Sequence, residues 1–286
     1  MPIIGINLLL WTAQLRAEHA PILAQLQGLG YQGVEVPHFS GPLAEAAQAG
    51  QIVREAGLIP SMIGTLPGAA HNPLSPDPGI AQAGRDHLRW LVDCAQAMGA
   101  VSIAGPFTQP LGQFTGTGPT PAEWDRLVLA HQQMADHAGP DLHLMVEPLN
   151  RFECYILNTA ADAARLVAEV NRPNYRYLFD TFHAHIEEQN PVAALHATLP
   201  AVGHVHISEN DRGIPGRGHA ALIPTLQTLT RAGFDGWISV EAFGQALPDI
   251  AAATRIWRPL FTSQTDLITE AIALIRHGLA IPKEPS

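Results

Sequence analysis

The sequence predicts an α/β fold, a single-domain (β/α)8 TIM barrel over residues 1–286, and three observations predict it. Short apolar runs alternate with loops and helical stretches in units of roughly 30–40 residues, as eight strand–helix repeats in a domain of ~250 residues require. Glycines close the helical stretches at Gly30, Gly57, Gly99, Gly139 and Gly233, each shortly before the next apolar run. No linker, low-complexity run or composition break divides the chain. Alternating strand and helix imply a parallel sheet, and eight repeats favour its closure into a barrel. An open doubly wound sheet is the alternative, but no G-x-G-x-x-G opens the first unit.

The first strand is expected at 3–9, within an apolar stretch too short to span a membrane and with no Lys or Arg before it. Strands at 33–36, 59–63 and 100–104 follow the stops at Gly30, Gly57 and Gly99. Strands at 142–147, 176–180, 204–208 and 237–241 complete the eight. Helix starts are equally visible. Thr120-Pro121-Ala122-Glu123 combines an N-cap, a proline at the first helical position and a capping-box glutamate. Thr159-x-x-Asp162 and Asn190-Pro191 follow the same logic. The Pro/Gly-rich stretches 66–79 and 105–121 fall where long loops cover the active end of a barrel.

Composition narrows the partners. Sixteen basic against 26 acidic residues give a net charge of −10, which argues against nucleic acid and favours a neutral or metal-chelating small molecule. Two cysteines, Cys94 and Cys154, are too few for a disulfide framework and suit a reducing cytoplasm.

Four expected strands end on a metal-type ligand: Val146-Glu147-Pro148, Phe179-Asp180-Thr181, Val205-His206-Ile207 and Val240-Glu241-Ala242. Alternation sharpens the assignment, because Leu144 and Val146, Tyr177 and Phe179, and Ile238 and Val240 point to the helices. Glu147, Asp180, His206 and Glu241 then point inward at the C-terminal, active end. A single acidic strand end is as readily a helix cap or an ion-pair member; four on successive strands point to one coordination shell. Oxygen-rich ligation suits Mn²⁺ or Mg²⁺, with Co²⁺ tolerated, whereas zinc sites carry more His or Cys. His204 and His143 share the inward face and are expected as hydrogen-bonded groups behind the ligands. Glu153, His183 and Arg212 follow the ligands by six, three and six residues, in loops leaving the active end. There they can hold a polarised carbonyl and its hydroxyls. The stretch 210–218 lacks P-loop spacing and is expected as a tight loop placing Arg212.

These segments resemble the D-tagatose 3-epimerase/D-allulose (psicose) 3-epimerase family of xylose-isomerase-like barrels. The residues that carry the likeness are Glu147-Pro148-Leu149-Asn150-Arg151-Phe152-Glu153, Asp180-Thr181-Phe182-His183 with Ile186-Glu187-Glu188, and Gly203-His204-Val205-His206 with Glu209 to Arg212. The match is strongest from residue 142 to 243. The resemblance implies that Glu147, Asp180, His206 and Glu241 bind Mn²⁺ or a similar ion, and that Glu147 and Glu241 are two acid/bases. It implies that Glu153, His183 and Arg212 hold the O1/O2 end of a free ketose, and that the enzyme is a cytoplasmic homodimer or homotetramer, with 262–278 contributing to the contacts. The chemistry agrees: epimerising C3 removes a proton beside the C2 carbonyl and returns it on the other face, with the ion stabilising an enediolate.

The chain departs from the family's pattern around the far end of the sugar. Asn7 and Leu8 stand where aromatic residues are common, and the fourth loop has no tryptophan. Trp11, Phe107, Phe114 and Phe243 can compensate or pack in the core. Alternative activities on the same site are an aldose–ketose isomerase and a keto-sugar lyase or dehydratase. An endonuclease-IV-like repair enzyme would need more histidines and a basic groove. A catalytically silent sugar-binding barrel is the non-enzymatic alternative.

Overall fold

A computed structural model describes residues 1–280; the expected domain range runs to 286, and its last six residues lie outside those described. Eight parallel strands close a barrel in chain order: β1 (Ile3–Asn7), β2 (Gly33–Pro37), β3 (Ile59–Ile63), β4 (Ser102–Gly105), β5 (His143–Val146), β6 (Tyr175–Asp180), β7 (Val202–Ile207) and β8 (Trp237–Val240). Closure pairs β1 with β8, from Ile3 opposite Trp237 to Ile6 opposite Val240. No edge strand is left, and the open-sheet alternative falls.

The helices around the barrel are α1 (Ala20–Leu29), α2 (Leu43–Glu55), α3 (Pro78–Met98), α4 (Pro121–Ala138), α5 (Ala160–Val170), α6 (Thr181–Glu187), α7 (Pro191–Thr198), α8 (Leu222–Arg231), α9 (Pro248–Ala253) and α10 (Gln264–Leu279). The five glycines expected to stop helices all have positive φ, and Gly30 and Gly99 cap α1 and α3 directly. The α4 capping box forms in both directions, with Thr120 N–H donating to Glu123 Oε2 at 2.8 Å and Glu123 N–H to Thr120 Oγ1 at 3.3 Å. Segment 262–278 is mostly α10, which lays Leu267, Ile268, Ala271, Ile272 and Ile275 onto the barrel's outer core.

The strands set two apolar compartments, outside and inside the ring. Val34, Val36, Leu144, Val146, Tyr177, Phe179, Ile238 and Val240 pack outward against the helices. Ala104, Met145 and Leu178 form a separate small cluster that plugs the barrel axis. Where β6 meets β7 the register slips: Tyr177 pairs with Val202, but Leu178 pairs with His204, so Gly203 is an inserted bulge residue.

Some boundaries differ from expectation for local reasons. β1 ends at Asn7, not at 9, because the Asn7 side-chain oxygen accepts the Leu9 N–H at 2.9 Å and starts a 3₁₀ turn over Leu8–Leu10. His143, expected behind the ligands, is instead exposed where β5 begins, at the opposite mouth of the barrel.

Candidate active site

The C-terminal mouth gathers all four expected ligands. Asp180 is the last residue of β6, and Glu147 and Glu241 stand one past the ends of β5 and β8. Their backbones are still tied to the sheet: Glu147 N–H donates to Gly105 O at 3.0 Å, and Glu241 N–H to Ile207 O at 3.3 Å. All four side chains are buried. His206 Nδ1 lies 3.9 Å from Glu147 Oε1, 3.6 Å from Asp180 Oδ2 and 3.5 Å from Glu241 Oε1. One donor atom from each residue lies within 4.8 Å of every other.

These residues fit a divalent cation. His206 Nδ1 is a buried nitrogen with no hydrogen-bond partner, aimed at three carboxylates. Three hard oxygens and one imidazole suit an Mn²⁺- or Mg²⁺-type ion. The cap and ligand readings of Asp180 fall on different oxygens. Oδ1 accepts the Phe182 N–H at 2.6 Å and caps α6, while Oδ2 faces His206.

The three residues expected in loops arrive at the same place, although His183 comes from the first turn of α6, which starts directly at the end of β6, and not from a loop. Arg212 Nη1 donates to Asp180 Oδ2 at 3.0 Å, to Ser208 Oγ at 2.9 Å and to Glu241 Oε2. Its guanidinium lies 3.9 Å over the Phe182 ring. Its backbone is left-handed (φ 65°), and the loop behind it is held by Glu209, whose carboxylate accepts the N–H groups of Asn210, Gly216 and Ala220. The tight loop expected at 210–218 is therefore real. His183 Nδ1 accepts the Asn150 N–H at 3.0 Å, and its Nε2 lies 2.9 Å from Arg212 Nη2. Glu153, half-buried, accepts from Asn150 Nδ2 at 2.8 Å.

Burial and charge set the protonation of the cluster. Burial, then the Glu241 charge, pushes the Glu147 carboxyl well above the usual carboxylate range. Burial would raise Asp180 too, but Arg212 and the two histidines beside it hold it below that range. Burial, reinforced by Arg212, lowers His183 to about 3, so its ring is neutral.

The seven residues surround a cavity of about 250 Å³; all but Asp180, which sits just behind Arg212, line it. Leu9, Phe39, Ile63, Leu111, Phe243 and Ile250 form much of its apolar wall. Of the four compensating aromatics, only Phe243 lines it. Phe107 packs against His131 in the outer core, Trp11 packs against the same core, and Phe114 is 51% exposed. Two buried polar contacts were not expected. Asn7 Nδ2 donates to Glu241 Oε1 at 3.1 Å. Glu35 on β2 lies against His206 from behind, 3.0 Å away. Its signal in the sequence was a lone carboxylate on the inward face of an otherwise apolar strand.

A model of the xylose isomerase-like TIM barrel family matches residues 23–267. A ketose 3-epimerase of Arthrobacter globiformis is 30% identical over 284 residues, spanning 98% of each chain. D-Allulose 3-epimerase from Methylomonas sp., solved in complex with D-allulose, superposes with a TM-score of 0.88 at 27% identity over 96% of both chains. D-Psicose 3-epimerase from Clostridium cellulolyticum, solved with D-tagatose, gives 0.85 at 25% identity, over 96% of this chain and 99% of that one. The chain belongs to the xylose isomerase-like TIM barrels and, among them, to the D-tagatose/D-allulose 3-epimerase family. It is accordingly an isomerase, a ketose epimerase.

Proposed function

We propose that this enzyme inverts free ketoses at C3, in the class of D-fructose/D-allulose, D-tagatose/D-sorbose and L-ribulose/L-xylulose. Glu147, Asp180, His206 and Glu241 hold the divalent ion, Mn²⁺ first, with Co²⁺ and Mg²⁺ as alternatives. One observation carries the reading: two buried carboxylates, Glu147 and Glu241, three strands apart around the ring, converge on one imidazole nitrogen at 3.9 and 3.5 Å. Relatives solved with D-allulose and D-tagatose support the substrate class.

When bound, the ion supplies Lewis-acid stabilisation of the negative charge that develops on the sugar's oxygens. The chain's own residues handle the proton. One glutamate takes the proton from one face of C3, and the carboxyl of the other returns a proton to the opposite face. Hydrogen bonds from Asn7 and Arg212 fix the Glu241 carboxylate. Arg212, neutral His183 and Glu153 orient the O1/O2 end of the sugar by charge and hydrogen bonding.

The same reading takes residues 1–286 as one domain and the protein as a cytoplasmic homodimer or homotetramer. In support, no helix among the described residues is long and apolar enough to cross a membrane, and Cys94 and Cys154 are free. Phe152 and Trp257, in loops at the active end, are 72% and 70% exposed, as subunit contacts would require. Light scattering of the purified protein measures the assembly.

The activity is tested with a ketose panel in D₂O and Mn²⁺. Deuterium entering at C3 alone, with the C3 epimer as product, is the expected result. Label at C1 or C2 with aldose formation, or loss of water, would replace this reading with an isomerase or a dehydratase.

A further inference from the structure

Glu35 is 1% exposed and belongs to none of the groups assigned above. It projects from β2 into the barrel, three strands round the ring from β7. Both its oxygens meet His206 Nε2, at 3.0 and 3.1 Å, and its Oε1 also lies 2.6 Å from His204 Nε2. His204 is stacked flat on Trp237, with ring centroids 5.7 Å apart and 14° between planes. A carboxylate removed from water needs such partners, and these two rings are the ones it has in ion-pair range.

The consequence lies on the far side of the His206 ring. A neutral imidazole carries its proton on one nitrogen only. A carboxylate at Nε2 can only accept, so it draws the proton there and leaves the Nδ1 lone pair free. Nδ1 is the nitrogen that faces Glu147, Asp180 and Glu241. We infer that Glu35 is a positioning residue for the metal centre: it fixes the tautomer and ring orientation of His206, and His204, wedged between Glu35 and Trp237, keeps Glu35 from turning away. This inference rests on the ion site described above. Glu35, His204 and His206 could themselves group around an ion, but bonds of about 2.0–2.2 Å to both atoms of the 2.6 Å Glu35–His204 contact would compress the angle at that ion well below the tetrahedral one, so the three are read as an ion-paired support and not as a second centre.

The test is an Mn²⁺ titration of purified wild type and the isosteric variant E35Q, following free Mn²⁺ by electron paramagnetic resonance. One ion per chain is expected in both, bound about 10–100-fold more weakly by E35Q, the usual effect of losing a partner behind a ligand. At saturating Mn²⁺ the KM for ketose should be unchanged. Equal affinity in the two proteins would overturn the role of Glu35 while leaving the ion site standing. A second ion bound only by wild type would overturn it as well, and a wild type that binds no Mn²⁺ would remove the ion site itself. If E35Q does not fold, ¹⁵N spectra of wild type saturated with Mg²⁺ decide: the His206 proton belongs on Nε2, and finding it on Nδ1 overturns the inference.

Discussion

The barrel has two mouths, and they differ in kind. At the N-terminal mouth a hollow of about 860 Å³ is lined by Ile3, Met145, Leu199, Trp237 and backbone at Gly203 and Gly236, with His143, Arg176 and Asp235 among its few charged or titratable groups. At the C-terminal mouth a cavity of about 250 Å³ is lined by six of the seven buried or half-buried polar groups described above. Among the described residues the larger hollow has no converging metal-type groups; the C-terminal mouth has four, three of which line the smaller cavity. Strand polarity explains the difference, because every βα loop leaves at the C-terminal mouth and can bring a side chain to it. Volume alone therefore does not mark a site. Buried charges held in place by other hydrogen bonds do.

The contrast breaks first under metal removal. Dialysis against EDTA should abolish epimerisation, and Mn²⁺ or Co²⁺ should restore it; a fully active apoprotein would end the distinction between the mouths. Next in size are Glu147→Gln and Glu241→Gln, each expected to lower kcat by about 10²–10⁴-fold in a folded protein. Arg176→Ala and Asp235→Ala at the other mouth should leave kcat/KM within twofold.

Smaller effects sharpen the comparison. Asn7→Ala removes the Glu241 contact and should cost up to about tenfold in kcat, with kcat and KM measured separately. Met145→Ala opens the plug between the mouths and should cost about 2–5 kcal/mol in urea denaturation, with Mn²⁺ affinity retained. A further effect, on stability alone, belongs to neither mouth. Burial lowers His131 to about 4, beside Phe107 and Tyr175 in the outer core. Below about pH 6.5 the unfolded chain takes up a proton that the folded chain refuses until about pH 4. Stability should therefore fall across that window by about 1.4 kcal/mol per pH unit for this group, and be regained above it. Removing the imidazole, as in His131→Asn, should flatten that part of the profile; an unchanged slope would assign it to other groups.

The strands and the convergence of the four expected ligands were legible because parity and position at a strand end are local properties of the sequence. The partner of Glu35 was not: the side chain stands out only as a lone carboxylate in an apolar strand, and its contact with His206 spans 171 residues. His143 shows the limit of parity. It does alternate with Leu144, but a residue at the start of a strand meets solvent at the mouth, not the buried interior. Phe39 and Ile250 escaped for a further reason: cavity walls are built by loops whose paths depend on tertiary contacts. Asn7 was conspicuous as a departure, yet its bond to Glu241 exists because β1 and β8 close the ring, a pairing between opposite ends of the chain.

Gly203 shows how the placing of one extra residue decides which side chains this strand sends inward. Its insertion opposite β6 resets the odd–even count of β7 after Val202, so that His204 and His206 both turn toward the axis while Val205 and Ile207 meet the helices. Deleting that one glycine would remove the bulge and leave the downstream side chains on their present faces, whereas a side chain added there would meet Met145 Sδ at 2.5 Å, at the plug of the axis. This step should therefore tolerate loss of the residue better than enlargement of it.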